Sequence, residues 1–342
     1  MPRKTIVLAM TQSNGIVELI EKNLQFHGYE VLRVDSILKF KYNNLWERIY
    51  QFFYKHITKS DTYKKKLKAK QSFYKAQHLL ANKNYDYTLV IRPDVYPQDV
   101  LTLLKQHTKN KFIGYQWDGL KRFPVKNIIH LFDEFFVFDH TDLTHPDYQS
   151  YKLHNITNFY FDMVKPEHIK HNKLQAYFIG SHQACRVAAI EQCAEKLAQS
   201  GVDIKFIIPT SKPKDIKYYK SKYITLGKKN RLTYYENLKN VNSADILVDF
   251  VITAHNGLSF RHFEALYYQK KLITTNTHVQ YYDFYHPNNI FIWDEKNLNG
   301  LQEFLAKPFI QIDTHIVEKY SFKNWIKTIL DTSTPEKNSN WS

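Results

Sequence analysis

Glycine is scarce in this chain, with nine in 342 residues. None of the nine forms a G-x-G-x-x-G fingerprint or a G-x-x-x-x-G-K-[ST] loop, the arrangements in which backbone amides wrap a pyrophosphate or triphosphate. NAD enzymes of the usual kind and P-loop NTPases are thereby set aside, and any phosphate must be held another way. Cysteine is scarcer still, with two. Cys185 and Cys193 lie in one predicted helix, where eight residues at ~1.5 Å each separate them by about 12 Å, too far for a disulfide. Neither has a Cys-x-x-Cys partner of the kind that binds zinc. Both read as reduced, structural thiols.

Long apolar runs are missing as well. The opening MPRKTIVLAM gives way to polar residues at Thr11 to Asn14, too soon for a signal-peptide core. No later segment approaches the ~20 apolar residues of a spanning helix, so a cytoplasmic protein is expected. The chain has neither a D-x-D pattern nor H-E-x-x-H spacing among its 16 histidines. No metal and no cofactor is therefore expected. His154, His168, His171 and His182 read as surface or hydrogen-bonded residues.

What is present describes a folded chain. Hydrophobic residues make up 43%, with 25 Tyr and 23 Phe, far too aromatic for a disordered protein. The length is comfortable for two domains, each with its own core. The formal charge of +15 is uneven, since residues 41–75 hold ten Lys or Arg against Glu47 and Asp61. That stretch sets Trp46, Ile49, Phe53 and Ile57 at helical spacing before the run Lys64-Lys65-Lys66-Leu67-Lys68. It reads either as an interfacial helix with a basic shoulder, suited to the anionic inner-membrane surface, or as a stripe packed on the first domain beside solvated lysines.

Strand and helix patterns alternate along the first half. Strands are predicted at 4–10, 30–35, 87–92, 111–116 and 134–139, and helices at 15–27, 97–107 and near 125–132. The periodicity fades over 151–172 and then restarts. Strands follow at 174–180, 203–208, 223–226, 246–250, 271–275 and 289–293, with helices at 183–199, 233–241, after Ser259, and at 321–330. This predicts an α/β fold of two doubly wound, Rossmann-like parallel-sheet domains facing across a cleft. The first spans 1–160, with a basic helical insertion at 40–80, and the second spans 172–318. A final segment, 319–342, is expected to pack back on the first domain.

The stretch 256–276, NGLSFRHFEALYYQKKLITTN, is the richest in chemistry. Asn256, Gly257 and Ser259 lie in a turn before a helix, where close backbone approach and free N–H groups suit a diphosphate. Arg261 adds a charge-assisted bond, and Glu264, three residues on, can accept from two ribose hydroxyls. The same R-x-x-E spacing also makes a plain ion pair on an exposed helix face. Gly180 follows a predicted strand and precedes a helix that contains Arg186, so it suits either a phosphate or an ordinary turn. Lys228 and Arg231 follow another strand, as diphosphate cations or solvated side chains. Asp94, Asp118, Asp139 and His140 follow strands of the first domain, where an acceptor base is expected. A carboxylate there can equally cap a helix. Asp118 ranks first because Trp117 offers a wall for a sugar ring.

The R-x-x-E-A-L segment before an I-T-T-N strand resembles nucleotide-sugar-dependent glycosyltransferases of the GT-B fold. Together with YQWD at 115–118 and FFVFDHTD at 135–142, it is similar to proteins of Gram-negative lipopolysaccharide and surface-polysaccharide biosynthesis. The likeness extends loosely over most of the chain outside 41–75. It implies transfer of a sugar from a nucleotide donor to a glycan or glycolipid acceptor, with Glu264 on the donor ribose and Arg261 on its diphosphate. The group's two glutamates eight apart are absent, since Asn256 and Leu272 flank Glu264 at that distance. Transfer of a nucleotide-activated phosphopolyol on the same fold is the near alternative. A basic nucleic-acid-binding protein is the distant one, disfavoured because the charge gathers in one insertion without a recognisable DNA or RNA module.

Overall fold

The computed structural model describes residues 3–36, 40–167, 169, 171–210, 212–227, 230–251, 257–294 and 298–331. The chain divides into two compact units. Residues 1–13, 20–137 and 141–155 form the first, and residues 14–19, 138–140 and 156–342 form the second.

The first unit contains strands β1 (Thr5–Met10), β2 (Glu30–Asp35), β3 (Tyr85–Ile91), β4 (Thr108–Gln116), β5 (Glu134–Val137) and β6 (Leu153–Asn155). All pair in parallel in the order β2-β1-β3-β4-β5-β6. Unbroken apolar runs such as Ile6 to Ala9 and Leu89 to Ile91 are buried, as strands covered on both faces require. Helix α1 (Ile16–Phe26) buries Val17, Ile20 and Leu24, the stripe its periodicity predicts. The insertion forms two helices, α2 (Leu45–Thr58) and α3 (Thr62–Leu80), and α4 (Gln98–Gln106) connects β3 to β4. The helix expected near 125–132 reduces to turns and one 3-10 turn, Ile129–Leu131. Eight residues between Pro124 and Asp133 are too few to offset helix nucleation. Strand β6 was not predicted, because Leu153-His154-Asn155 carries no readable alternation.

The second unit has β7 (Gln175–Ile179), α5 (Val187–Gln199), β8 (Asp203–Ile208), α6 (Pro213–Ile216), β9 (Ile224–Leu226) and α7 (Tyr234–Ser243). After these come β10 (Ile246–Asp249), α8 (Phe260–Tyr268), β11 (Lys271–Thr274), β12 (Ile290–Ile292), α9 (Leu301–Ala306), α10 (Thr314–Lys319) and α11 (Phe322–Leu330). The parallel order is β12-β11-β10-β7-β8-β9. The chain winds outward through β7, β8 and β9, returns to lay β10 beside β7, and winds outward the other way. The β7/β10 seam is therefore the topological switch point, where open α/β sheets leave a crevice at the carboxyl ends of their strands.

Helix α11 packs within this second unit. Phe159 lies 4.9 Å from the ring of Phe322 and 4.4 Å from that of Trp325. Tyr160 donates its N–H to Tyr320 at 3.1 Å and accepts from Phe322 at 3.0 Å. Residues 156–160, drawn from sequence as the end of the first domain, thus pack with α11 in the second unit. Among the described residues, no helix is long and apolar enough to cross a membrane.

Candidate active site

Arg186 spans the β7/β10 switch point. It sits at the N-cap of α5 and is 7% exposed. Its Nη2 donates to the carbonyl of Ser181, just beyond β7, at 2.7 Å, and its Nη1 to the carbonyl of Phe250, just beyond β10, at 3.1 Å. Its Nε has no partner, and no carboxylate lies within ion-pair distance of it among the described residues. Burial lowers its pKa, and Asp249 opposes this only in part. A cation at a helix N-terminus opposes the helix dipole, and a buried one without a counter-ion is costly. Both costs are relieved by an anion. The sequence places Arg186 in the helix after Gly180 but carries no sign of this role, because neighbours in sequence do not reveal a carbonyl 64 residues away.

Gly180, beside it, donates its N–H to Ile207 at 3.2 Å, so this amide is occupied. Any Cβ there would lie 2.7 Å from the Phe178 ring. His182 bonds the Tyr219 hydroxyl at 3.0 Å and lies 3.8 Å from Asp215.

Arg261 and Glu264 are joined at 2.8 Å, but not on an exposed face. Glu264 is 1% exposed, and its second oxygen accepts from Tyr234 at 2.7 Å. Arg261 also reaches Asn237 at 3.4 Å and lies over the Tyr177 ring, 5.4 Å from its centroid. Burial, then the Glu264 carboxylate, pushes the Tyr234 phenol well above its ordinary pKa. Each Glu264 oxygen thus already accepts one hydrogen bond, and a ribose hydroxyl would have to enter a buried network to reach it. The spacing correctly placed both residues on one helix face; it could not show that α7 covers that face.

At the start of α8, Ser259 donates to Asp249 at 2.7 Å. The buried His262 lies between Ser259, at 3.3 Å, and Thr274, at 3.2 Å. Burial lowers the pKa of His262, with Asp249 opposing. Sequence reasoning missed this network because Asp249, His262 and Thr274 read as ordinary strand and helix positions. Gly257 is buried, and a Cβ there would sit 2.5 Å from Phe138 ring carbons and 2.9 Å from its carbonyl oxygen, so only glycine fits.

Phe138 leads directly to Asp139 and His140, which the second unit includes. His140 Nδ1 lies 3.9 Å from Asp139, and its ring is 5.4 Å from that of His278. Burial lowers the pKa of His140, Asp139 opposes this, and His278 reinforces it. The result is a neutral, partly exposed imidazole beside a buried carboxylate, a combination able to accept a proton.

In the first unit, Asp94 and Asp118 are brought together by Arg92, a residue sequence reasoning passed over. Arg92 donates from Nε and Nη2 to Asp94 at 2.7 and 2.8 Å, and from Nη1 to Asp118 at 2.7 Å. The Phe123 ring lies 3.6 Å from the guanidinium, and Gln116 donates to Asp94 at 2.9 Å. Burial pulls the pKa of Arg92 down, but the two carboxylates more than offset this and leave it raised. Both carboxylates are acceptors in this network, and Arg122 approaches the other oxygen of Asp118 at 3.6 Å. The backbone of Arg92 is left-handed (φ 60°), which turns the chain sharply after β3.

Arg231 is exposed, while Asn256 and Lys228 lie outside the described residues. Among those residues, no three His, Cys, Asp or Glu side chains gather as metal ligands. Cys185 is exposed and Cys193 buried, and both are unbridged.

No family model and no curated protein sequence matches the chain. Its structure resembles the apo lipopolysaccharide outer core galactosyltransferase WaaB, with 12% identity and a TM-score of 0.50 over 94% of this chain and 97% of that one. The chain has the GT-B fold. At such identity the likeness speaks for fold alone. Two further matches have lower TM-scores and add nothing to the GT-B assignment. The glycosylation-associated Gap123 complex of Streptococcus agalactiae matches at 10% identity and TM-score 0.46, over 78% of this chain and 58% of that one. The glycosyltransferase SnogD of Streptomyces nogalater matches at 9% and 0.43, over 95% and 98%.

Proposed function

We infer that this GT-B chain is a glycosyltransferase that moves a sugar from a nucleotide-sugar donor to a lipopolysaccharide or other surface-glycan acceptor. The observation that carries the reading is Arg186, a buried cation at the switch point of the second sheet with no carboxylate in ion-pair distance among the described residues. A nucleotide sugar presents a diphosphate there, and its negative charge grows as the bond to the sugar breaks. Arg186 and the amino end of α5 stabilise that charge where it develops. With the charge balanced by protein groups, transfer is expected to continue in EDTA.

His140 takes the proton of the acceptor hydroxyl as its oxygen bonds to the anomeric carbon, with Asp139 orienting the ring. Asp94 and Asp118 hold Arg92 and shape the loops after β3 and β4. Arg261 and Glu264 fix α8 against α7 and bear on the donor through the turn at Gly257 and Ser259.

The test is a donor screen. Purified protein is incubated with nucleotide-activated sugars and polyols, and release of free nucleotide is measured with and without glycolipid acceptor. One nucleotide sugar turning over supports the reading. Turnover of activated polyols alone would move the chain to phosphopolyol transfer, and none at all would contradict both.

A further inference from the structure

Helix α2 has its amphipathic faces reversed with respect to the protein. Its buried residue is the polar Gln51, while Trp46 is 77% exposed, Ile57 79%, Phe52 68% and Leu45 67%. At 100° per residue these side chains, with Phe53 and the half-buried Ile49, share one broad arc. Gln51 faces the opposite way, toward Asp61, and donates to it at 3.2 Å. Leaving so much apolar surface in water while burying an amide is unfavourable for an isolated chain, so the arc calls for an apolar phase outside it.

The margin of this arc is basic. Arg48 and Lys55 flank it on α2, and with His56, Lys59 and Lys64 they line a hollow of about 670 Å³ that Phe52 borders. Its one acidic wall, Asp61, is engaged by Lys55 at 3.1 Å. Lys65, Lys66 and Lys70 are exposed farther along α3.

We propose that the α2–α3 insertion is a docking surface for an anionic lipid bilayer, with the apolar arc of α2 in the acyl boundary and the basic hollow around lipid phosphates. Apolar side chains flanked by lysine and arginine are what an interfacial helix presents to such a membrane. The charge selects this occupant. A second copy would bring its own excess, ten cations against two carboxylates over 41–75, onto the same face. Leu45 and Ile57, at the two ends of the arc, extend the rings of Trp46, Phe52 and Phe53 with alkyl surface, which acyl chains cover and stacked bases do not. The surface belongs to the first unit, while Arg186 and His140 belong to the second, and it uses none of their side chains, so the proposal stands independently of the transferase reading.

The test uses the full chain and sedimented vesicles of phosphatidylcholine alone or with 30% phosphatidylglycerol. Binding is expected to the anionic vesicles, weakening as salt rises, and to be at least tenfold weaker to the neutral ones. Phe53→Glu/Ile57→Glu and Lys64→Glu/Lys65→Glu should each reduce it at least tenfold, with unchanged circular dichroism and unchanged nucleotide binding. The substituted side chains are exposed, so folding should survive. Quenching of Trp46 by brominated acyl chains, lost in Trp46→Phe, would place the arc in the membrane. Equal binding by the variants would overturn the proposal, as would preference for an RNA oligonucleotide or self-association through this face without vesicle binding.

Discussion

Burial lowers the pKa of Arg186 and of His140, with different consequences for the two side chains. Arginine starts so high that it remains a cation, and the cost of burial becomes affinity for an anion. Histidine starts at 6.5, so lowering keeps it neutral at physiological pH and ready to take a proton. Protonation then requires more acid than an ordinary histidine does. The acid limb of kcat/KM should accordingly fall below pH 6.5, with activity lost as pH drops through the lowered value. His140→Gln should lose about 10²-fold or more in kcat while holding nucleotide affinity, and should flatten that limb. An unchanged profile in the variant would remove His140 from the base role. Asp118→Asn gives the complementary readout. Because one of its oxygens accepts from Arg92 and the other lies 3.6 Å from Arg122, the expected effect is lower thermal stability with most turnover retained, measured by melting and initial rates on one preparation. Neither the Arg92 grip on two aspartates nor the isolation of Arg186 was legible in sequence, since each depends on side chains from separate loops.

Helix α8 shows how far patterning reads and where it stops. The apolar spacing of Phe263 and Leu266 locates the helix and its core stripe, and R-x-x-E places two charges on one face. Whether that face is wet or dry is decided by α7, whose Tyr234 and Asn237 complete a buried network. Arg261→Ala leaves the Glu264 carboxylate buried without its cation and should cost about 3–5 kcal/mol in urea unfolding. Glu264→Gln keeps an acceptor for Tyr234 and should cost less. A loss below about 0.5 kcal/mol for Arg261→Ala is the value of a solvent-exposed pair and would contradict the network. Gly257→Ala should be destabilising by about 1–3 kcal/mol, because the new methyl group meets the Phe138 ring and carbonyl. The buried strands were readable for the reason α8 was, a long apolar signal of one period. The three-residue β6 and the turns over 125–132 were not, because short segments take their shape from what they pack against.

Across the whole molecule, the alternation of strands and helices predicted two doubly wound sheets, and the structure has two six-stranded parallel ones. Strand order, and with it the β7/β10 switch point, was beyond the sequence, since parallel pairing leaves no local mark on either strand. The scarcity of glycine gains a physical meaning from that topology. Without a glycine-rich loop to supply amides, the second sheet has a buried guanidinium at the place where such a loop would meet phosphate. The most direct test is calorimetric titration of the intact protein and of Arg186→Ala with nucleoside diphosphates of each base. The wild type should bind at least one of them, and Arg186→Ala should weaken that binding at least tenfold while remaining folded by circular dichroism. Equal affinity in the two proteins would contradict the assignment of the donor diphosphate to Arg186.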